Sequence, residues 1–319
     1  MQKTADTKVR AKKALGQHFL TDQRVARAIV DALEIPGRAS LARNDYKEAQ
    51  NDYKGARNDY KGARNDYKEA RNDYKEARND SPSSFRTEPE GRRSGISNSV
   101  LEIGPGMGVL TQYLLERPEI DLKLVELDGE SVEYLLTHFR GMQGRLWQAD
   151  YLKLDVHRMF PGEYCIIGNF PYNISSQIFF KILDDKDRVP QVVCMIQKEV
   201  AERIAEKPGS KTYGILSVLL QAWYDIEYLF TVGPGAFAPP PKVQSAVIRL
   251  RRNGRTDLGC DEALFKKLVK TAFGQRRKTL RNALKVMMPE GFDASDPVFD
   301  LRAEKLSVED FVALTRLFQ

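Results

Sequence analysis

The chain contains no apolar run near the roughly 20 residues that a membrane-crossing helix needs, so an integral membrane protein is not expected. Its opening stretch, "MQKTADTKVRAKKALGQHFL", is basic but has no long apolar core, and a secretory signal is not expected either. Cysteine is scarce. Cys165, Cys194 and Cys260 lie far apart without metal-ligand spacing, so no metal site is expected. They read as reduced, buried thiols of a cytoplasmic protein. A strong excess of one charge is also missing, with a net +6 over 319 residues. What is present is ordinary for a globular protein, 42% apolar and 29% charged residues. The length suffices for one large domain or two smaller ones.

The distribution of charge says more than its sum. Lys3, Lys8, Arg10, Lys12 and Lys13 crowd the N-terminal segment, and "KKLVKTAFGQRRKTLRNALK" covers 266–285. Basic clusters at both ends suggest a polyanionic partner, with solvated helix faces as the plainer alternative. Between them lies an array of "RNDYKEA" and near-copies over about 42–80. Its period of seven invites a coiled coil with Tyr and Ala at the seam. Alanine buries little, Asn and Asp are poor helix formers, and Gly55 and Gly62 interrupt the pattern. The array therefore reads as a disordered, solvated segment, a long polar helix being the alternative. Residues 81–99 read as linker.

From Val100 the texture alternates. Strands are expected at 100–103, 122–127, 145–150, 164–169, 191–197, 225–232 and 243–251, with helices between most of them. This rhythm predicts a mostly parallel seven-stranded sheet with helices on both faces. No long helix separates the last two strands, which predicts an antiparallel hairpin at the sheet edge. Beyond Asn253 the chain reads as all helix, and "SVED" at 307–310 is a capping signal.

Two stretches carry chemistry. "LEIGPGMGVL" (101–110) is a strand, a glycine turn and a helix start, and Glu126 ends the next strand. A ligand in such a fold sits beyond the strand ends, where Gly104 and Gly106 allow close backbone approach and Glu126 can accept from ribose hydroxyls. The dinucleotide fingerprint wants glycine where Val109 stands, and the run Gly104, Gly106, Gly108 favours S-adenosylmethionine over NAD. "GNFPYN" (168–173) ends the fourth strand on the same rim. Asn169 and the carbonyl of Phe170 can accept the two hydrogens of an exocyclic adenine amine, leaving its lone pair to a methyl donor. Pro171 stiffens this loop, and Tyr172 can stack on the base.

These stretches, with "KKALGQHFLTD" (12–22), "VELD" (125–128), "QAD" (148–150), "GAFAPPPKVQSAVIRL" (235–250) and "FGQRRKTLRNAL" (273–284), resemble the small-subunit (16S, KsgA-type) rRNA adenine N6-dimethyltransferases. The resemblance covers nearly everything except 38–99. It implies a Rossmann-like class I S-adenosylmethionine-dependent methyltransferase over 1–253, interrupted by the array and linker, and a helical RNA-binding domain over 254–319. His18 and Leu20 would close over the cofactor, although the family often has Asn at His18. Gly104 would contact the methionine part, Glu126 the ribose, Asp150 the adenine amine, and Asn169 both cofactor and target. Tyr172 and Phe237 would sandwich the target adenine, and Arg276, Arg277, Lys278 and Arg281 would meet RNA. The implied reaction places four methyl groups on two adjacent adenines near the 3′ end of small-subunit rRNA, within a pre-ribosomal 30S particle, by a cytoplasmic monomer. The alternatives are a large-subunit rRNA methyltransferase of the macrolide-resistance type, an assembly factor that binds RNA without catalysis, and a DNA adenine methyltransferase.

Overall fold

The computed structural model describes Val9, Lys12, 18–35 and 97–319; the heptapeptide array and nearly all of the linker lie outside the described residues. Before them stand a short strand β1 (Phe19–Leu20) and helix α1 (Gln23–Asp31). Asp22 starts that helix as expected, accepting the N–H groups of Arg24 at 2.9 Å and Val25 at 3.3 Å.

After the linker the alternation is regular. It runs β2 (Ser99–Ile103), α2 (Thr111–Leu115), β3 (Asp121–Glu126), α3 (Gly129–His138), β4 (Leu146–Gln148), β5 (Cys165–Asn169), α4 (Ser175–Asp184), β6 (Gln191–Gln197), α5 (Lys198–Ala205) and α6 (Ile215–Gln221). Then come β7 (Tyr224–Val232), β8 (Phe237–Ala238) and β9 (Ser245–Arg252). Seven strands form one sheet in the order β4-β3-β2-β5-β6-β9-β7. The first five are parallel, and β9 runs antiparallel to both β6 and β7. The expected edge hairpin is thus present, with β7 outermost. Strand order reverses between β2 and β5, so the carboxyl ends of these two strands open the crevice in which such sheets bind ligands.

The long turn of the hairpin holds a feature that the sequence pattern does not announce. Its strand β8 leaves the main sheet and pairs with β1, Phe19 opposite Ala238 and Leu20 opposite Phe237. Thr21 N–H adds a bond to the Ala236 carbonyl at 2.8 Å. The N-terminal segment is thereby fastened to the hairpin turn across the mouth of the crevice.

The sheet is covered on both faces, which is why its strands read as apolar runs. One apolar core holds α1 against Val100, Leu122, Leu124 and Val193. The other joins α4 and α6 to the C-terminal helices α7 (Glu262–Gly274), α8 (Leu280–Ala283) and α9 (Val308–Arg316). Asp261 caps α7 through Leu264 N–H, and Ser307 with Asp310 forms the expected capping box on α9. The core is continuous across residue 253, Tyr213 meeting Phe273 at 6.2 Å between ring centroids. That position marks a change of secondary structure rather than a gap in packing. Cys165 and Cys194 are fully buried in central strands, whereas Cys260 is only half-buried, outside the sheet. Among the described residues no helix is long and apolar enough to cross a membrane.

Candidate active site

The glycine turn forms first, because β2 and β3 place its ends. Gly104 N–H donates to the Val125 carbonyl at 2.9 Å, so the chain leaves β2 still bonded to its neighbour. Gly106 has φ of +56°, and a Cβ there would stand 3.1 Å from the Phe19 ring. Its N–H donates to Glu126 Oε2 at 3.0 Å, while Asp128 N–H donates to Oε1 at 2.9 Å. Each carboxylate oxygen keeps a second lone pair, so Glu126 can still accept from a ligand. Burial pushes the Glu126 carboxyl up, and these N–H groups oppose the push. Beneath the turn Glu102 is 1% exposed and accepts Thr111 Oγ1–H at 2.7 Å. Burial raises it to about 8, so at neutral pH it is largely uncharged and adds little repulsion beside Glu126. Asp150 follows β4 on the same rim, with Oδ1 accepting Leu152 N–H at 2.9 Å.

The second wall is the end of β5. Gly168 is required here: a Cβ would lie 2.5 Å from the Ile103 carbonyl oxygen, so only glycine lets β5 approach β2 this closely. Asn169 comes next and faces the crevice beside the glycine turn. Its Nδ2 donates to the His18 carbonyl at 3.1 Å, which leaves Oδ1 as the acceptor arm. Phe170 turns inward, 1% exposed, with its ring edge-on to Phe179 and its N–H bonded to the Met195 carbonyl. Tyr172 lines the crevice, and its hydroxyl is held by Ser245 Oγ at 2.5 Å. Ser245 is fully buried at the start of β9, so it fixes the ring from the hairpin side.

His18, Leu20, Gly104, Gly106, Glu126, Asp150, Asn169, Phe170, Pro171 and Tyr172 therefore line one crevice. Phe237 does not. Its ring is 4% exposed, packed in the core with Leu20, Leu110 and Val232. The pairing of β8 with β1 turns it inward. What stands against Tyr172 is the imidazole of His18, at 5.5 Å between centroids and 30° between planes. Its Nδ1 lies 3.0 Å from the Pro239 carbonyl. A carbonyl only accepts, so the hydrogen is on Nδ1. Phe19, Gly168, Ser245 and Pro239 join the site without having been singled out from sequence. Only Gly168, directly before the Asn, carried a local signal.

The basic residues divide. Arg276 donates to the Ser210 and Lys211 carbonyls and stands 3.9 Å from Glu304, and Arg281 pairs with Asp300 at 2.8 Å. Arg277 and Lys278 are exposed, and among the described residues neither has an ion-pair partner. Lys12, one of the N-terminal cluster, is paired with Asp128 and Glu130.

A glycine turn and two strand-end acids, facing an Asn-Phe-Pro-Tyr loop across the switch point of this sheet, define a Rossmann-like methyltransferase that uses S-adenosylmethionine. The donor set fits that cofactor, since Glu126 retains acceptor capacity where a ribose would lie and nothing stands within 4 Å of a Cβ built on Gly104. The family model described as ribosomal RNA adenine dimethylase matches residues 93–319. The chain is similar to proteins named ribosomal RNA small subunit methyltransferase A. The one from Parabacteroides distasonis is 50% identical over 98% of this chain and 95% of its own length. The one from Porphyromonas gingivalis is 47% identical over 98% and 99%. A solved dimethyladenosine transferase from Plasmodium falciparum, 24% identical, matches 68% of this chain and 88% of its own with a TM-score of 0.58, which bears on the fold alone. The chain belongs to the ribosomal RNA adenine dimethylase family.

Proposed function

We propose that this protein dimethylates N6 of two adjacent adenines near the 3′ end of small-subunit rRNA, acting as a cytoplasmic monomer on a pre-ribosomal 30S particle. The observation that carries the reading is the meeting of Asn169, Phe170 and Tyr172 with the glycine turn in one crevice. It occurs in a chain about half identical, end to end, to relatives named for that subunit's RNA.

S-adenosylmethionine, when bound, supplies an electrophilic methyl group. The chain's own residues prepare the acceptor. An adenine amine is a poor nucleophile because its lone pair is shared with the ring. Asn169 Oδ1 accepts one N–H and the Phe170 carbonyl the other. Both acceptors favour a pyramidal nitrogen and stabilise the positive charge that grows on it as the carbon–nitrogen bond forms and the carbon–sulfur bond breaks. The amine proton then leaves to water. Tyr172, held by Ser245, stacks on a base that has left its helix. Glu126, Gly104, Gly106 and Asp150 hold the cofactor, and the lid segment at His18 and Leu20 limits water.

In this reading 1–253 is catalytic, and 254–319 presents Arg277 and Lys278 to RNA. Replacing both by Ala is expected to weaken RNA binding and lower the slope of log K against log salt by about 2, since each phosphate contact contributes roughly one. An unchanged slope would place the basic contact elsewhere. The decisive experiment is transfer from labelled S-adenosylmethionine onto immature small subunits, with the modified bases mapped. Two neighbouring dimethyladenines near the 3′ end are expected. Label found only in large-subunit RNA would overturn the substrate, and absence of label with intact RNA binding would favour a non-catalytic assembly factor.

A further inference from the structure

We infer that Lys181 is a positioning residue for the cofactor: from α4 it pins the turn that presents Asp150 to the cofactor's adenine. The inference deepens the proposed function and rests on the role given there to Asp150. That acid has little support of its own. β4 has ended at Gln148, and the Asp150 side chain is 32% exposed. Its main-chain carbonyl accepts the N–H groups of Lys153 and Leu154, each at 3.0 Å, so 150–154 is one helical turn. A single turn is too short to hold itself in water. One end is fixed to the sheet, where Ala149 N–H donates to the Glu126 carbonyl at 3.0 Å. The rest of the turn is fixed by Lys181.

Lys181 Nζ donates to the carbonyls of Tyr151 and Leu154, both at 2.5 Å. It also stands 4.8 Å from the centroid of the Tyr151 ring, within cation–π range. Tyr151 is 5% exposed and Leu154 packs against the core, so the ammonium grips the turn from its inner side. Burial pushes the Lys181 ammonium down, and Asp150, Asp155 and Asp185 oppose that push. The helix that carries it is itself well placed. Ile178, Phe179 and Ile182 are fully buried, and Ser175 Oγ–H donates to the Tyr172 carbonyl at 3.3 Å. Ile174, Ile178 and Lys181 recur at i, i+4 and i+7. One stripe thus carries a crevice residue, a core residue and the ammonium.

Lys181 does not line the crevice, so it acts on the ligand only through the turn. An apolar side chain at 181 would leave the Tyr151 and Leu154 carbonyls without their charged donor. Partly buried acceptors left unpaired are costly, and the turn would relax toward water, carrying Asp150 with it. Asp150 addresses the amine edge of the purine. The loss therefore falls on the adenine end of the ligand and spares the ribose and methionine parts, which Glu126 and Gly104 hold.

The test is calorimetry on the full chain, wild type and Lys181→Met, with two ligands. One is S-adenosylhomocysteine. The other is S-inosylhomocysteine, which has a carbonyl oxygen in place of the adenine amine. Wild type is expected to prefer the adenosyl ligand by about ten-fold or more, because a carboxylate accepts from an amine and repels a carbonyl. In Lys181→Met the adenosyl Kd is expected to rise about ten-fold. The inosyl Kd is expected within about three-fold of wild type, so that the preference collapses; this second value also reports an intact fold. Should Lys181→Met fail to fold, Lys181→Gln takes its place, with a donor kept and the charge removed, under the same two criteria. A preference equal to that of wild type overturns the inference. So does a parallel rise in both Kd values, since Lys181 would then support the core around α4 and not the reading of the purine. A wild type without preference overturns the role of Asp150 and this inference together. A wild type that shows the preference yet leaves small subunits unmethylated defeats the proposed substrate alone.

Discussion

Glu126 reaches Gly106 across twenty residues, within a single strand–helix–strand unit. Tyr172 reaches Ser245 across 73, and His18 reaches Pro239 across 221. The two sides of the crevice are thus assembled differently. The cofactor side is a local structure, closed by short connections and set by strand ends. The target side is made of three remote segments, and it exists only once the edge hairpin has folded and β1 has paired with β8. Longer closures cost more entropy before any contact offsets them, so the target side is expected to be the softer of the two. That suits a slot that must open for a base. It also means that substitutions on the two sides should separate in their effects on cofactor and RNA.

Asn169 sits where the sides meet, and its loss gives the largest effect. Asn169→Ala removes an acceptor aimed at charge that develops during methyl transfer. Removal of one such group costs about 10²–10³ in kcat, and that drop is expected here in single-turnover methylation of small subunits. Circular dichroism is expected to be unchanged, because the side chain is only half-buried. Turnover near that of wild type would remove Asn169 from the chemistry. Gly106→Ala attacks the cofactor side alone. The φ of +56° costs an L-residue roughly 1–2 kcal/mol, and the Cβ presses on Phe19 at 3.1 Å. A rise of about ten-fold in the cofactor Kd is expected, with RNA affinity, measured separately by filter binding, unmoved. An equal loss on both would mean that the sides are coupled through Phe19 and β1.

Ser245→Ala is the matching test on the target side. It removes a hydrogen bond of about 1 kcal/mol that fixes the Tyr172 ring. A rise of about five-fold in KM for the small subunit is expected, with the cofactor Kd unchanged and Ser245→Thr close to wild type. If Ser245→Ala moved the cofactor Kd instead, the division drawn here would be wrong.

The same contrast explains what could be read in advance. Gly104, Gly106, Glu126, Asp150 and Asn169 were legible because strand-end chemistry is written in consecutive residues, and the parallel strands were legible as apolar runs. The β1–β8 pair was not. Two-residue strands have no periodicity, and nothing in "HFL" or "AFA" points to a partner more than two hundred residues away. The inward position of Phe237 follows from that pair, since nothing in a proline-rich turn shows from sequence which way its aromatic faces. Ser245 was hidden differently: its strand was expected, but nothing in that strand points to Tyr172, and only the folded position of β9 brings the two together. Arg276 and Arg281 looked like free charge because their acceptors, the carbonyls of 210–211 and Asp300, come from other loops.

The smallest expected effect lies at the opposite rim of the sheet. The two ends of the segment that carries the heptapeptide array are both held there, by the amino-terminal ends of the parallel strands. Glu34 N–H bonds to Gln191 Oε1 at the start of β6, and its carboxylate is gripped by Arg249 at 3.0 Å and by Arg251. Ser97 Oγ–H bonds to the Glu163 carbonyl just before β5. The crevice opens at the other ends of these strands. Deleting 42–80 keeps both anchorages and every crevice residue, and the change in loop length alone shifts stability by under about 1 kcal/mol. The cofactor Kd and the KM for the small subunit are therefore expected within three-fold of the full chain. A selective rise in KM would give the array a part in docking the subunit from the far side. Loss of cofactor binding would contradict the placement of its two ends, because among the described residues the bonds of Glu34 and Ser97 go to Gln191, Arg249, Arg251 and Glu163, away from the crevice.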